Sequence, residues 1–74
     1  MKLGARVRII GIPEGLSESP DFPTRSTFEK CLGHEFVVAS FNQFGMAEQE
    51  IRSVTGNFGE SIWVEPQFLQ VISG

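Results

Sequence analysis

The chain has few of the residues from which small folds build cross-links and metal sites. Its 74 residues include one cysteine, one histidine, one tryptophan and no tyrosine. A single cysteine excludes an intramolecular disulfide, and Cys31 with His34 is too small a set for a Cys/His zinc site. We therefore expect no metal and no cofactor, and we expect the fold to depend on burying apolar side chains, among them seven phenylalanines.

The sequence also has no long hydrophobic run. No apolar stretch approaches the roughly 20 residues that cross a bilayer. Residues 1–6 carry two basic side chains before any apolar run develops, which is not the pattern of a signal peptide. Because a lone cysteine also fits a reducing compartment, we expect a cytoplasmic protein with no membrane partner.

Basic residues are scarce and unevenly placed. The net charge is −3, and five of the six basic residues lie in the first thirty positions, at Lys2, Arg6, Arg8, Arg25 and Lys30. Nucleic-acid binders usually present a basic face, so the net charge disfavours nucleic acid as a partner. A small basic face made by Lys2, Arg6 and Arg8 remains an alternative, although a solvated strand face is the favoured interpretation.

Alternating apolar and polar residues predict five short strands. The clearest case is the first, in which Ala5, Val7 and Ile9 alternate with Arg6 and Arg8. Gly, Pro and Asn clusters separate the segments and indicate turns. The predicted strands are 5–12, 35–41, 46–54, 60–64 and 69–72.

The connections contain two predicted helical segments. Residues 13–23 hold three of the four prolines and form a long surface loop. A short helix over 24–32 follows, with Ser26 and Glu29 as a capping box and Gly33 as its stop. Pro66 ends the fourth strand, and residues 66–68 suit one turn of 3₁₀ helix. Residues 42–45 and 55–59 are predicted hairpin connections.

This order of elements predicts a single all-β domain over residues 1–74. We expect a five-stranded, strongly bent barrel, closed or nearly closed, because closure removes the exposed edges of a small sheet. The predicted core comprises Val7, Ile9, Phe28, Leu32, Phe36, Val38, Ile51, Ile62, Val64, Leu69 and Val71.

The two ends of the chain carry a resemblance. The run from Ile62 to Leu69, Ile-Trp-Val-Glu-Pro-Gln-Phe-Leu, is similar to the strand, 3₁₀ turn and last strand that close SH3-like barrels. Gly-x-Arg-Val-Arg at the start, a Pro-rich loop, a helix ending in Cys-Leu-Gly and Trp-Val-Glu-Pro resemble a set of small uncharacterised bacterial proteins with that layout. The resemblance implies an SH3-like barrel and no particular activity.

Polyproline recognition does not follow from this resemblance. Peptide-binding SH3 domains have a tryptophan pair early in the third strand and a tyrosine in the 3₁₀ turn. This chain lacks the pair and has no tyrosine, although Pro66 and Phe68 lie in the corresponding turn. The departure argues against a polyproline ligand.

Four aromatic residues are the candidate partner-binding site. Strand parity places Trp63 on the outer surface if Ile62 and Val64 are core, where it is either an exposed anchor or covered by the long loop. Phe44 and Phe58 lie in turn segments, and with Phe22 and Trp63 they form either an aromatic patch for a partner or plugs for the barrel ends.

No set of residues indicates catalysis. Cys31 is interpreted as a buried structural cysteine, and Glu48 and Glu50 as solvated carboxylates on a strand. No serine is placed near His34 by a recognisable triad motif. We therefore expect a non-enzyme, either a protein-interaction module or a small accessory subunit. A weak nucleic-acid-binding barrel and a structural subunit of a larger enzyme complex are the alternatives.

Overall fold

The computed structural model describes residues 1–16, 18–20 and 23–74. Within these ranges, five strands, two α-helices and one 3₁₀ turn follow one another. They are β1 (Arg6–Ile9), α1 (Thr24–Cys31), β2 (Glu35–Phe41), β3 (Ala47–Glu50), α2 (Arg52–Thr55), β4 (Ser61–Val64), the 3₁₀ turn (Pro66–Phe68) and β5 (Leu69–Ser73). Within the described ranges, no helix is long and apolar enough to span a bilayer.

The strands form one antiparallel sheet in the order β4-β3-β2-β1-β5. The mainly-β class, the five strands, the helix after the first long loop and the 3₁₀ turn before the last strand are confirmed. The prediction of closure is wrong, because β4 and β5 are the two edges of an open sheet and do not pair with each other in the described chain. Both edges therefore keep unpaired backbone groups.

Strand β2 lies at the centre of the sheet and divides it into two parts. Its first residues, Glu35–Val37, pair with β1, whereas Val38–Phe41 pair with β3. The register shifts between Val38 and Ser40. An extra residue at such a shift bends a strand and increases its twist, so the two halves of the sheet face different directions.

The β2–β3 connection is the tight turn that its composition predicts. The side-chain Oδ1 of Asn42 accepts hydrogen bonds from the Phe44 amide at 2.9 Å and the Met46 amide at 3.0 Å. Gly45 adopts a left-handed φ of 80°, which glycine reaches without steric cost. Asn42 thus closes the hairpin with its own side chain.

Strand β1 is shorter than predicted and ends at Ile9 instead of residue 12. Beyond it, the Ile10 amide donates to the carbonyl of Phe68 at 2.9 Å. At Gly11 the chain runs so close to this aromatic ring that a Cβ atom would lie 2.9 Å from Phe68 Cδ1. The 3₁₀ turn therefore occupies the space that a longer β1 would need.

Strand β3 also ends earlier than predicted, at Glu50 instead of residue 54. Residues Arg52–Thr55 form the short helix α2, which ends at Gly56 with a left-handed φ of 77°. Ile51 is buried and Val54 packs against the core, and residues three apart share a helix face but not a strand face. The three-residue spacing of Ile51 and Val54 therefore indicates a helical turn. The segment is too short for hydrophobic periodicity alone to distinguish a helix from a strand.

Helix α1 begins without the predicted capping box. No side chain within the helix caps its N-terminus. Instead, Glu18 of the preceding loop accepts hydrogen bonds from the Ser26 amide at 3.1 Å and from the Ser26 hydroxyl. These bonds lower the pKa of Glu18, with the nearby positive charges of Arg25 and Lys30 adding a smaller effect. Gly33, with φ of 83°, ends the helix as predicted.

The core lies between the sheet and α1. Most of its predicted members are buried, but Leu32 and Val71 are exposed. Leu32 follows the last helical residue in an extended conformation, so it leaves the face that Phe28 occupies. Val71 lies on the edge strand β5. The buried residues are Ala5, Val7, Ile9, Phe28, Cys31, Phe36, Val38, Ala47, Gln49, Ile51, Ile62, Val64 and Leu69.

Gln49 is the polar member of this core. Its Nε2 donates to the carbonyl of Ala47 at 2.9 Å, while its buried Oε1 has no donor among the described residues. A buried acceptor without a partner costs about 1–3 kcal/mol. We expect Gln49→Met, which keeps the length of the side chain, to raise the free energy of unfolding in urea by about 1 kcal/mol.

The matched control for this substitution is Gln70→Met on β5. Gln70 is exposed, and its replacement is expected to change the free energy of unfolding by less than about 0.5 kcal/mol. A loss of stability in Gln49→Met would contradict the prediction, since it would mean that the buried amide makes a net favourable contribution.

Candidate partner-binding groove

A groove of about 610 Å³ runs between β4 and the wall formed by the first loop and α1. Its volume lies within the range of about 300–1,000 Å³ typical of ligand pockets. The first loop, α1, the β2–β3 turn and β4 with its two flanking residues all contribute. The lining residues are Pro13, Glu14, Leu16, Pro23, Thr24, Thr27, Phe28, Met46, Glu60, Ser61, Ile62, Trp63 and Glu65.

Trp63 lies on the outer face of β4, as strand parity predicts. Its neighbours Ile62 and Val64 are buried, whereas Trp63 keeps 38% of its surface exposed. Among the described residues, the first loop and α1 lie across the groove from Trp63 and leave the indole partly exposed. A partly exposed indole beside a groove is a typical anchor for a partner.

The outer edge of β4 faces this groove. Ile62 and Trp63 are successive residues whose side chains point to opposite faces of the sheet, yet both line the groove. The groove therefore runs along the edge of the strand, where backbone groups are presented, and not over one face of the sheet.

The ladder with β3 shows which backbone groups of β4 point away from β3 and have no backbone partner among the described residues. The Glu60 carbonyl accepts from the Ile51 amide at 2.9 Å, and the pairs Gln49–Ile62 and Ala47–Val64 continue the register. Hydrogen-bonded and non-hydrogen-bonded pairs alternate in an antiparallel ladder. Ile62 and Val64 therefore bond to β3, and the amides and carbonyls of Ser61 and Trp63 point outward.

The charges that line the groove are all of one sign. Glu14, Glu60 and Glu65 line it, and no basic residue does so in the described chain. The carboxylate of Glu60 accepts a hydrogen bond from Asn57 Nδ2 at 3.0 Å. Low-dielectric walls concentrate such a field, so the groove attracts positively charged groups.

Three of the four predicted site residues lie in the described chain, and only one of these three lines the groove. Trp63 lines the groove, whereas Phe44 and Phe58 do not. Phe44 is exposed in the β2–β3 turn and Phe58 in the connection to β4. The guanidinium of Arg52 lies 4.7 Å from the centre of the Phe58 ring, a cation–π contact. Phe22 lies outside the described residues.

The basic face considered for nucleic acid is partly neutralised. Arg8 forms an ion pair with Glu35 at 2.7 Å, across the β1–β2 ladder. Arg6 lines a second, smaller hollow of about 410 Å³ that also contains Glu35 and Glu50. Carboxylates beside both arginines reduce the positive potential that a phosphate backbone requires.

Cys31 is a buried free thiol at the end of α1. Burial raises its pKa to about 11, and the negative charge of Glu60 acts in the same direction. A thiol with a raised pKa is a poor nucleophile and a poor metal ligand. In the ranges that the structure describes, no three His, Cys, Asp or Glu side chains are grouped so as to hold a metal ion.

Sequence reasoning missed the wall of the groove opposite Trp63. Leu16, Thr27 and Glu14 belong to a loop and a helix that are distant from β4 in the sequence, and no local pattern relates them to it. The available signal was Leu16, which with Phe22 is one of the two large apolar side chains in the loop. Comparison of the chain with known protein families, with curated proteins and with solved structures gave no match.

Proposed function

We propose that this chain is a non-catalytic protein-interaction module, or a small accessory subunit, that binds a partner protein in the groove beside Trp63. The observation that carries the proposal is the combination of a half-exposed indole, an apolar wall and a free strand edge in one groove. Aromatic anchors in desolvated pockets supply most of the binding energy of protein interfaces.

The proposed architecture is an SH3-like barrel opened along the seam between β4 and β5. Two observations support it. The 3₁₀ turn Pro66–Phe68 lies between β4 and β5, where the resemblance implies it, and the register shift in β2 gives the sheet a strong bend. We place the module in the cytoplasm, because its single cysteine is free.

The test is capture of partners from a lysate of the source cells with tagged protein, with and without nuclease and at two salt concentrations. We expect one protein in stoichiometric amount, retained after nuclease and moderate salt. Trp63→Ser should reduce its recovery at least about tenfold, since loss of a central aromatic anchor costs about 2 kcal/mol or more.

Phe41→Ser is the matched control for this capture. Phe41 is as exposed as Trp63, at 39% against 38%, and does not line the groove. Its substitution should leave recovery unchanged, with circular dichroism confirming that both variants fold. If the Trp63→Ser variant captures the partner as well as the unchanged protein does, the groove is not the binding site. Recovery of nucleic acid that vanishes on adding salt would favour the nucleic-acid alternative, with Arg6 and Arg8 as the residues to mutate.

A further inference from the structure

We propose that the groove binds an extended, basic segment of the partner protein, which pairs with β4 as an added strand. This inference rests on the proposed function and specifies the chemistry of the partner. Three features support it: the outward backbone groups at the edge of β4, the negative charges along the groove and the alternation of its apolar and acidic lining.

The edge of β4 supplies the hydrogen bonds. The outward amides and carbonyls of Ser61 and Trp63 are separated by one residue, which is the spacing at which a neighbouring strand donates and accepts. Addition of a peptide strand to such an edge derives its affinity from main-chain bonds and its specificity from pockets for alternate side chains. Because the groove follows this edge, it admits an extended chain.

The lining of the groove suits an extended peptide in which apolar and basic side chains alternate along the chain. An added strand would direct every second side chain toward the apolar wall, where Leu16, Phe28 and Ile62 lie. The side chains between them would lie on the outer side, beside Trp63. Glu14 of the first loop and Glu65, which follows β4, line the same groove.

Charge determines which segment fits. Each charged residue lining the groove is a glutamate in the described chain, and Arg25 and Lys30 of α1 lie near Glu18 and do not line the groove. An extended segment with lysine or arginine at alternate positions therefore complements it, and an acidic segment is repelled.

The same charges argue against a second copy of this chain as the occupant. Edge-to-edge pairing of two β4 strands would bring Glu60 and Glu65 of one copy toward those of the other. The chain as a whole carries a net charge of −3. Like charges facing each other across an interface cost several kcal/mol, so a basic partner segment is the occupant that the observations favour.

The experiment is selection of a displayed random library of 12-residue peptides on the full chain at low salt. We expect the enriched peptides to carry lysine or arginine alternating with β-branched or aromatic residues. The most enriched peptide is then synthesised, together with a form methylated on alternate backbone nitrogens. Methylation keeps the side chains and removes strand pairing, so we expect its affinity to fall at least about tenfold.

Two substitutions in the chain test the strand edge and the charge. Ser61→Pro removes an outward amide at the first position of β4, where proline is tolerated, and should weaken the peptide at least about tenfold. Ser61→Ala, which keeps the amide and loses only the hydroxyl bond to Glu48, is its control. Glu65→Lys should weaken the peptide similarly, whereas Glu29→Lys on the exposed surface of α1 should not.

The outcomes separate this inference from the function on which it rests. Acidic or uncharged selected peptides would overturn the charge argument, and affinity unchanged by methylation or by Ser61→Pro would overturn strand addition. If no peptide is enriched while lysate capture still depends on Trp63, the partner binds through a folded surface and only the present inference fails. Self-association through β4, detected by sedimentation and abolished by Ser61→Pro, would replace the partner segment with a second copy.

Discussion

Replacing Ile9 with alanine is expected to lower the free energy of unfolding by about 2–5 kcal/mol. Ile9 is fully buried at the end of β1, where it belongs to the core between the sheet and α1. The substitution removes apolar contacts and leaves a cavity that the surrounding strands fill only in part. Because domains of this size are marginally stable, a cost of this magnitude would leave a substantial unfolded fraction. Urea denaturation followed by circular dichroism measures it.

The adjacent isoleucine is the matched control. Ile10 has the same side chain, yet it is 53% exposed where Ile9 is 0% exposed. Its backbone amide donates to the Phe68 carbonyl, a hydrogen bond that alanine keeps. Ile10→Ala should therefore change stability by less than about 0.5 kcal/mol. Equal losses in the two variants would show that the strand parity described for β1 is wrong.

Modification of Cys31 by a thiol reagent at pH 8 is expected to be at least about 100-fold slower in the folded protein than in urea. Thiolate is the reactive species, and burial raises the pKa of Cys31 from 9.0 to about 11. That shift alone lowers the thiolate fraction about 100-fold, and the buried position of the sulfur excludes the reagent as well. Ellman's reagent in the presence and absence of urea provides the measurement.

The raised pKa of Cys31 also predicts how stability depends on alkaline pH. The folded state favours the protonated thiol, so its contribution is fully present below the unfolded value near 9.0 and is lost as pH rises toward about 11. Subtracting the pH profile of Cys31→Ala isolates this contribution. A thiol that reacts equally fast in both states, or identical profiles in the two proteins, would contradict its burial.

The strands were predictable where one face is apolar and the segment is long. Strand β2 has the predicted bounds because four of its seven residues are Val or Phe, which favour β structure, and clear turns flank it. Residues 51–54 fit either a strand or a helix by periodicity alone because the segment has only four residues. The structure has a helical turn there, which lets Val54 pack against the core. Closure failed as a prediction because pairing between β4 and β5 depends on the bend of the whole sheet.

Only the β4 side of the candidate groove, where Trp63 lies, was predictable from the sequence. Parity placed Trp63 outside because Ile62 and Val64 must share the core. The opposite wall depends on how a loop and a helix pack across the sheet, and no local pattern in the sequence reveals that long-range packing. Phe44 and Phe58 were grouped with Trp63 because exposed aromatics in turns often bind partners, but neither lines the groove.

The hydrogen bonds between Glu18 and Ser26 have a consequence for binding entropy. They join the first loop to the start of α1, and these two segments together form the wall of the groove opposite Trp63. If the proposed partner segment binds in the groove, a wall whose two segments are already hydrogen-bonded loses less conformational freedom on binding. The carboxylate of Glu18 thus preorganises a surface that it does not itself line, and it does so in the ionised form that its lowered pKa favours.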